Sequence, residues 1–184
     1  MNSDKNNTPA PSATAAMNEL RLGAARKRLA ESRGQEDAIE GLREIVANFL
    51  GSEELGLFRV DHKTDRKPTA FQVFWSFGID LEEYDLLRGL GEAGLQRVMR
   101  GECHVELTSG ERSGATAKAQ AFIPIRVANE TIAILAILRL LPQKIAFDGC
   151  DLELFKLLSN EAAGPLFGAN FDAKPVTEGP GMGV

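Results

Sequence analysis

One of the two cysteines and one of the two histidines of this chain, Cys103 and His104, are neighbours in the stretch RGECHVELTSG. A thiol beside an imidazole could act as an activated nucleophile or as part of a metal site. A zinc site would also need His62 and Cys150 to converge on the pair, and the paired spacings that zinc sites use are missing from the sequence. We therefore predict no metal, and we interpret Cys103 as a small residue that lines a pocket.

Other patterns that could support catalysis are weaker still. The glycines of RGLGEAGL match the spacing G-x-G-x-x-G, but no strand-to-helix turn precedes them, as dinucleotide binding requires. The carboxylate pairs Glu53-Glu54 and Glu82-Glu83 fall at predicted helix ends or turns, which is typical of a solvated surface. The sequence contains no phosphate loop, nucleophile elbow or kinase motif. We predict that the chain is not an enzyme.

The charge of the chain limits its partners. Its formal net charge is −5 over 184 residues, whereas a nucleic-acid surface needs a clustered excess of basic residues. The basic run from Arg26 to Arg28 is short and typical of a solvated helix face. We predict that nucleic acid is not a partner.

The sequence also indicates a compartment. No stretch approaches the roughly 18 apolar residues of a membrane span, and the polar start MNSDKNNTPAPSATAA lacks the apolar segment of a secretory signal. We predict a cytoplasmic protein that does not insert into a membrane. In a reducing compartment its two cysteines are expected to be free thiols.

Two helices are predicted near the N-terminus, after a mobile polar tail over residues 1–15. In residues 16–33, Met17, Leu20 and Leu29 form a narrow apolar stripe on an Ala- and Arg-rich background. In residues 36–50, an acidic first turn precedes apolar residues at helical spacing. A narrow stripe needs a partner to cover it, so we predict that the first helix takes part in a dimer.

From residue 54 onward, the spacing of the apolar residues changes from that of a helix to the alternation of a β-strand. Residues 54–60 and 70–77 flank a polar turn and predict an antiparallel hairpin, and the aromatic residues of its second strand indicate that both faces of that strand are covered. Residues 79–101 predict one or two short helices. A short strand at 104–107, a polar loop at 108–118 and two strong strands, QAFIPIRV and TIAILAILRL, follow. The last of these is predicted to be central and buried on both sides.

The final helix has a clear start and a clear end. Asp148 is a suitable N-cap, and Asp151, three residues on, completes the pattern of a capping box. Pro165 lacks an amide donor and should kink or end the helix near Gly164. Residues 172–184 are polar and rich in glycine and proline, and we predict that they form a second mobile tail.

The order of these elements, together with four stretches of sequence, resembles the GAF domain family. The stretches are similar to the family's strand that ends in a Ser/Gly turn, its Gly-Glu pair after an inserted helix, its paired core strands with an apolar-Pro-apolar centre, and its Phe-x3-Asp lead into the last helix. They are FWSFGID, RGECHVE, AFIPIRVANETIAILAIL and FDGCDLELFKLLSNEAAGPL. The resemblance covers residues 36–171 and predicts a GAF-like domain there.

The resemblance implies an α+β fold with a central antiparallel sheet of five or six strands. It implies amphipathic N- and C-terminal helices on one face of the sheet, often forming a dimerising bundle. It also implies a cover of inserted helices and loops on the other face, which encloses a small molecule.

Three better-defined classes within this family match the sequence poorly. Cyclic-nucleotide-binding domains carry Asn-Lys…Phe-x3-Asp-Glu, and here Gln143 and Leu152 stand where Asn and Glu are expected. Bilin attachment through a Cys-His pair would need that pair in a later, helical segment. A GAF-like methionine sulfoxide reductase needs a resolving thiol and a cysteine-containing Gly-rich signature, which the chain lacks.

Two functions from different classes remain open. The first is a sensory or regulatory module of bacterial signal transduction that binds a small ligand, needs no other cofactor and acts through an unidentified signalling or effector protein. The second is a protein–protein interaction scaffold whose pocket is filled by its own side chains. In both cases we expect a homodimer.

The candidate pocket is predicted between the second strand of the hairpin, the inserted helices and the strands that follow them. The residues predicted to line it are Phe74, Trp75, Ser76, Tyr84, Leu87, Cys103, Val105, Phe122 and Pro124. If the strand is shifted by one residue, Trp75 lines the pocket in place of Phe74 and Ser76. The residues predicted to form the dimer interface are Met17, Leu20, Leu29, Ile39 and Leu42.

Overall fold

The computed structural model describes residues 13–62, 68–79, 86–106 and 119–168, which fold around one antiparallel sheet. In chain order the elements are α1 (Ala13–Ala30), α2 (Gln35–Ile45), a π-helical turn (Val46–Leu50), β1 (Leu55–His62), β2 (Pro68–Phe77), a 3-10 helix (Leu86–Leu90), α3 (Gly91–Met99), β3 (His104–Val105), β4 (Ala121–Val127), β5 (Glu130–Ile137), α4 (Gly149–Glu161) and α5 (Ala163–Phe167). Because alanine favours helix, α1 already includes residues 13–15, which the sequence assigned to the tail. The rest of both predicted tails and the predicted loop at 108–118 lie outside the described residues.

Neighbouring strands of the sheet are antiparallel, in the order β2-β1-β5-β4-β3. β1 and β2 form the predicted hairpin. β5 is the middle strand, and every residue after Glu130 in it is buried. The predictions of the hairpin and of a central, doubly buried last strand are confirmed.

The edge strand β2 differs from its prediction. The pairing register shifts between Leu57 and Phe58 of β1, which makes Phe74 the extra residue of a β-bulge. Val73 and Phe77 are 45% and 37% exposed. The expectation that both faces of this strand are covered therefore holds only in part: Phe71 packs against the core cluster on one face, and Phe74 and Trp75 pack against the cluster on the other. β2 lies at the edge of the sheet, where the covering elements extend only part of the way.

One face of the sheet, called the helix face, carries Leu57, Ile123 and Leu135. These side chains form a single core with buried residues of α1, α2, α4 and α5. The apolar residues of α2 recur at helical spacing, so this helix buries a continuous stripe. α1 contributes less, because only Ala25 and Leu29 of this helix are buried.

The opposite face, called the cover face, carries Phe122 and Ile134. The 3-10 helix and α3 supply Leu87, Leu90 and Val98 to the same apolar cluster. The short helices predicted after the hairpin are therefore confirmed from residue 86 onward. The fold thus has two apolar layers, one on each side of the sheet.

The closing helices begin and end close to the predicted positions. The Asp151 backbone N–H donates to the Asp148 carboxylate at 3.0 Å, and the Asp148 N–H donates to the Asp151 carboxylate at 2.8 Å, which completes the predicted capping box. α4 ends at Glu161, and Pro165 falls in the first turn of α5, where its missing N–H has no helical partner to lose. Over the ranges described, none of the helices is both long enough and apolar enough to cross a bilayer.

Candidate functional site

The structure distributes the predicted pocket residues over both faces of the sheet. Leu87 and Phe122 contact the same cluster on the cover face, and strand alternation places Pro124 on that face as well. The register of β1 and β2 places Ser76 on the cover face too. Tyr84 lies outside the described residues. These four described residues form the part of the predicted pocket that the fold brings to one face.

Phe74 and Trp75 point to the helix face instead. The Phe74 ring lies 5.4 Å from the ring of Phe167 in α5. Trp75 pairs with Leu57 of the helix-face core, and its ring stacks on Phe77 at 6.2 Å. The bulge turns two consecutive side chains to the same side, whereas the prediction assumed strict alternation. Neither residue can therefore line a pocket on the cover face.

Cys103 and Val105 also pack against the helix-face core. Val105 pairs with Ala121 of that core, whereas His104 lies between the two and turns to the cover face, with its ring 6.3 Å from that of Phe122. Neighbouring residues of a strand point to opposite faces. The thiol and the imidazole of the Cys103-His104 pair are thus separated by the sheet.

The imidazole of His104 has two structural partners. Its Nδ1 lies 3.3 Å from the Arg97 guanidinium, and its Nε2 lies 3.2 Å from the Glu106 carboxylate. Since a guanidinium can only donate, Nδ1 accepts from Arg97 and Nε2–H donates to Glu106. Among the residues that the structure describes, no three His, Cys, Asp or Glu side chains converge as they would around a metal ion.

Side chains of the described residues form a buried apolar cluster on the cover face. Leu87, Leu90, Val98 and Phe122 are all buried against one another and against the sheet. Two surface depressions lie elsewhere: one of about 270 Å³ is lined by Glu53, Glu54 and residues 139–142, and one of about 220 Å³ lies between α1 and α4. Neither depression includes a residue of the predicted pocket.

Comparison with solved structures identifies the fold. No protein-family model matches the chain, and no curated protein does. The GAF domain of a phosphoenolpyruvate-protein phosphotransferase from Coxiella burnetii has a TM-score of 0.57 at 20% identity, and covers 82% of this chain and 94% of that domain. The corresponding GAF domain from Acinetobacter has a TM-score of 0.56 at 14% identity, over 86% of this chain and 97% of its own. This chain has a GAF-like fold.

A third structure, residues 122 to 287 of a methyl-accepting chemotaxis protein, has a TM-score of 0.52 at 16% identity, over 77% of this chain and 94% of its own. The α+β class, the antiparallel sheet and the GAF-like fold predicted from the sequence are confirmed. The sheet of this GAF-like domain has five strands in the described ranges, the lower of the two predicted numbers.

The residues predicted as a dimer interface divide into two groups in the GAF-like domain. Leu29 and Leu42 are buried in the core of the single chain, and Ile39 packs against that core. α1 and α2 thus bury these positions inside their own chain, so Leu29 and Leu42 present no surface to a second copy. Met17 and Leu20 are 61% and 68% exposed and remain available.

A charged cluster around Asp151 was not predicted as a feature of the GAF-like domain. The Asp151 carboxylate is 0% exposed, and lies 2.8 Å from the Lys144 ammonium and 3.0 Å from the Arg21 guanidinium. Arg21 also donates to the carbonyl oxygen of Phe49 at 2.6 Å. The cluster therefore joins α1, the end of the π-helical turn and the start of α4. The sequence indicated only that Asp151 lies at the capping-box distance from Asp148. That spacing does not identify the cations that Asp151 contacts.

The capping box depends on pH. The hydrogen bond from the Asp151 backbone N–H holds the pKa of Asp148 below its ordinary value; burial opposes this, and nearby Lys144 supports it. A carboxyl whose pKa is lowered by folding stabilises the folded state above its unfolded pKa, and this stabilisation is lost as the pH falls through the folded pKa. The cap is therefore intact at neutral pH and weakens in acid.

The environment of Cys103 makes it a poor nucleophile. Burial raises the pKa of its thiol to about 11, and the charge of Lys156 on α4 opposes this only in part. The thiolate is the reactive form, so a raised pKa removes reactivity at neutral pH. Cys103 packs against the helix-face core, so it does not line a pocket on the cover face as the sequence predicted.

We expect Cys103 in the folded domain to react with iodoacetamide about 100-fold more slowly than an ordinary exposed cysteine, because a pKa of about 11 instead of 9.0 lowers the thiolate fraction in that proportion. Peptide mass spectrometry of samples alkylated at neutral pH measures this rate. The urea-unfolded chain, in which both cysteines should react rapidly, is the control. Rapid and selective alkylation of native Cys103 would reopen an enzymatic role.

Proposed function

We propose that this GAF-like domain is a non-catalytic regulatory module that acts through a signalling or effector protein in the cytoplasm. The similar GAF domains belong to phosphoenolpyruvate-protein phosphotransferases, and the third similar structure belongs to a methyl-accepting chemotaxis protein. Because a fold alone does not carry function, the proposal also rests on the site. The observation that supports it best is the second apolar layer, in which α3 and the 3-10 helix cover the sheet face opposite the main core.

The proposed ligand is a small, largely apolar molecule bound at the cover face. Leu87 and Phe122 supply apolar surface, and the Ser76 hydroxyl supplies a polar group on the same face. Ligand sites typically combine many apolar side chains with few polar ones. Native mass spectrometry of the purified chain tests this, because it reports a copurifying small molecule and the oligomeric state together.

The close packing of the cover face favours a second candidate, an interaction scaffold that binds no ligand. The side chains of Leu87, Leu90, Val98 and Phe122 are buried in one apolar cluster, which supports a layer filled by the chain's own side chains. A scaffold of this kind would use the cover layer for stability and its outer surface for docking. The two candidates differ in what an enlarged side chain at this layer should do.

Leu87→Trp separates ligand binding from a self-filled layer. We expect the variant to lose a copurifying ligand at least tenfold while its unfolding free energy changes by less than about 1 kcal/mol, because the indole would occupy the ligand's space. If the layer is self-filled, overpacking should instead cost about 1–3 kcal/mol with no ligand to lose. Native mass spectrometry and urea unfolding measure the two quantities. Leu152→Trp, at an exposed position of α4, is the control.

The domain is further proposed to work as a homodimer. Met17 and Leu20 are large apolar side chains that the fold leaves exposed on α1. A helix that presents such a stripe gains stability when a partner covers it. Sedimentation of the full chain over a wide concentration range tests this part of the proposal.

A further inference from the structure

α1 is attached to the rest of the domain by a small apolar contact. Of its 18 residues only Ala25 and Leu29 are buried, and Leu22 is partly buried against the same core. α4 is shorter, yet it buries three leucines and Phe155. Helices in proteins draw most of their stability from packing of an apolar face rather than from intrinsic propensity. The position of α1 therefore depends on contacts other than apolar burial.

Arg28 connects α1 to α2. The sequence assigned the basic run at residues 26–28 to a solvated helix face, but the Arg28 side chain is only 26% exposed. Its guanidinium lies 2.9 Å from the Asp37 carboxylate and 2.6 Å from the Glu44 carboxylate. The guanidinium carbon would lie 3.1 Å from a Cβ at Gly41, which stands between these two acids on α2. The missing side chain at Gly41 thus gives one arginine of α1 access to two carboxylates.

Two more arginines connect α1 to α4. The Arg21 guanidinium lies 3.0 Å from the buried carboxylate of Asp151 in the first turn of α4. The Arg26 guanidinium lies 3.0 Å from the carboxylate of Glu161, the last residue of α4, but both of these side chains are exposed. Charged contacts are strong where water is excluded and weak where it is not. Arg21 and Arg28 are therefore the main charged attachments of α1.

We propose that α1 is a releasable strap, which detaches from α2 and α4 when salt screens its arginine–carboxylate contacts while the sheet stays folded. Release uncovers apolar surface, including Leu157 of α4, which lines the same depression as Leu22 of α1. Elements that move in regulation come from the parts of a fold with few buried apolar contacts. The strap adds a conformational switch to the proposed regulatory module, but it requires neither a ligand nor a dimer.

Salt should act on α1 selectively. The distance over which charges interact falls from about 10 Å at 0.1 M salt to about 3 Å at 1 M. Apolar packing carries no charge for salt to screen. β5 is the middle strand of the sheet, and its residues after Glu130 are buried and almost all apolar. The amides of β5 therefore report whether the core is still folded when α1 is released.

Hydrogen exchange of the full chain, followed by mass spectrometry at one pH, measures the release. We expect the amides of α1 to exchange at least tenfold faster in 1 M than in 0.05 M sodium chloride, while those of β5 change less than twofold. An α1 that is unprotected at low salt, or whose protection does not respond to salt, would overturn the proposal. So would equal acceleration of α1 and β5, because α1 would then open only with the whole domain.

Arg28→Gln tests whether the specific contact with α2 holds the strap. We expect at least tenfold faster exchange of α1 in low salt, with β5 unchanged. Lys27→Gln is the matched control, because it removes the same charge from the next position, and Lys27 pairs with Glu31 of its own segment at 3.8 Å. This control should change exchange less than twofold. Equal acceleration in the two variants would overturn the proposal, and if Arg28→Gln fails to fold, the salt comparison on the parent chain decides.

Discussion

Asp151→Ala is expected to lower the free energy of unfolding of the GAF-like domain by about 3–5 kcal/mol. The change removes a buried carboxylate that contacts both Lys144 and Arg21, together with half of the α4 capping box. The side chains of Lys144 and Arg21 are only 19% and 21% exposed, so neither cation regains full hydration once its partner is lost. Urea unfolding followed by circular dichroism measures the loss.

Two further variants make this measurement specific. Glu153→Gln removes a carboxylate from the same helix, but Glu153 and its partner Lys156, 2.8 Å away, are largely exposed. This control should change stability by less than about 0.5 kcal/mol. Asp151→Asn keeps the shape of the side chain and one acceptor, so its effect should fall between the other two. If Asp151→Ala matched the Glu153→Gln control, the cluster would contribute no net stability.

The fold was predictable where local chemistry determines it. Asp148 and Asp151, three residues apart, define the start of α4 through hydrogen bonds within one turn. The run of Ile, Leu and Ala in β5 identifies a strand buried on both sides, because only a central strand offers two apolar environments. The order of such elements was enough to suggest a GAF-like domain, and the solved structures confirm that fold.

The candidate site was predictable only in part, because it depends on the direction in which strand residues point. The extra residue Phe74 changes which face of the sheet the side chains point to on one side of the bulge. No residue type in the strand indicates that a bulge is present. β3 contains only two residues, so its alternation could not be placed without its partner β4. The prediction therefore combined side chains from both faces of the sheet.

Long-range charge pairing was beyond the sequence for a different reason. Arg21 and Asp151 are 130 residues apart, and a surface helix rich in arginine offers several equally plausible cations. Which of them reaches a buried carboxylate depends on how α1 lies across α4. The same packing decides which apolar residues of α1 stay exposed, and so separates Met17 and Leu20 from Leu29.

Gly78→Ala is expected to destabilise the domain by about 3–5 kcal/mol, although it adds one methyl group. Gly78 follows β2 with a φ of 73°, and a Cβ there would lie 2.2 Å from the carbonyl oxygen of Glu53. Because that oxygen belongs to the backbone, no change of side-chain rotamer can relieve the contact. The start of β1 and the end of β2 would have to move apart. Urea unfolding measures the loss.

Gly91→Ala separates the close contact from the backbone conformation. Gly91 has a φ of 63°, similar to that of Gly78, but a Cβ there would meet no atom within 4 Å. Its replacement should cost about 1 kcal/mol, the strain of a left-handed conformation alone. The excess loss in Gly78→Ala then measures the approach of Glu53, and equal losses in the two variants would show that this approach does not constrain the fold. The close approach of the Glu53 carbonyl oxygen explains the glycine in FWSFGID. The strand ends against a neighbouring backbone, and this leaves no room for a side chain.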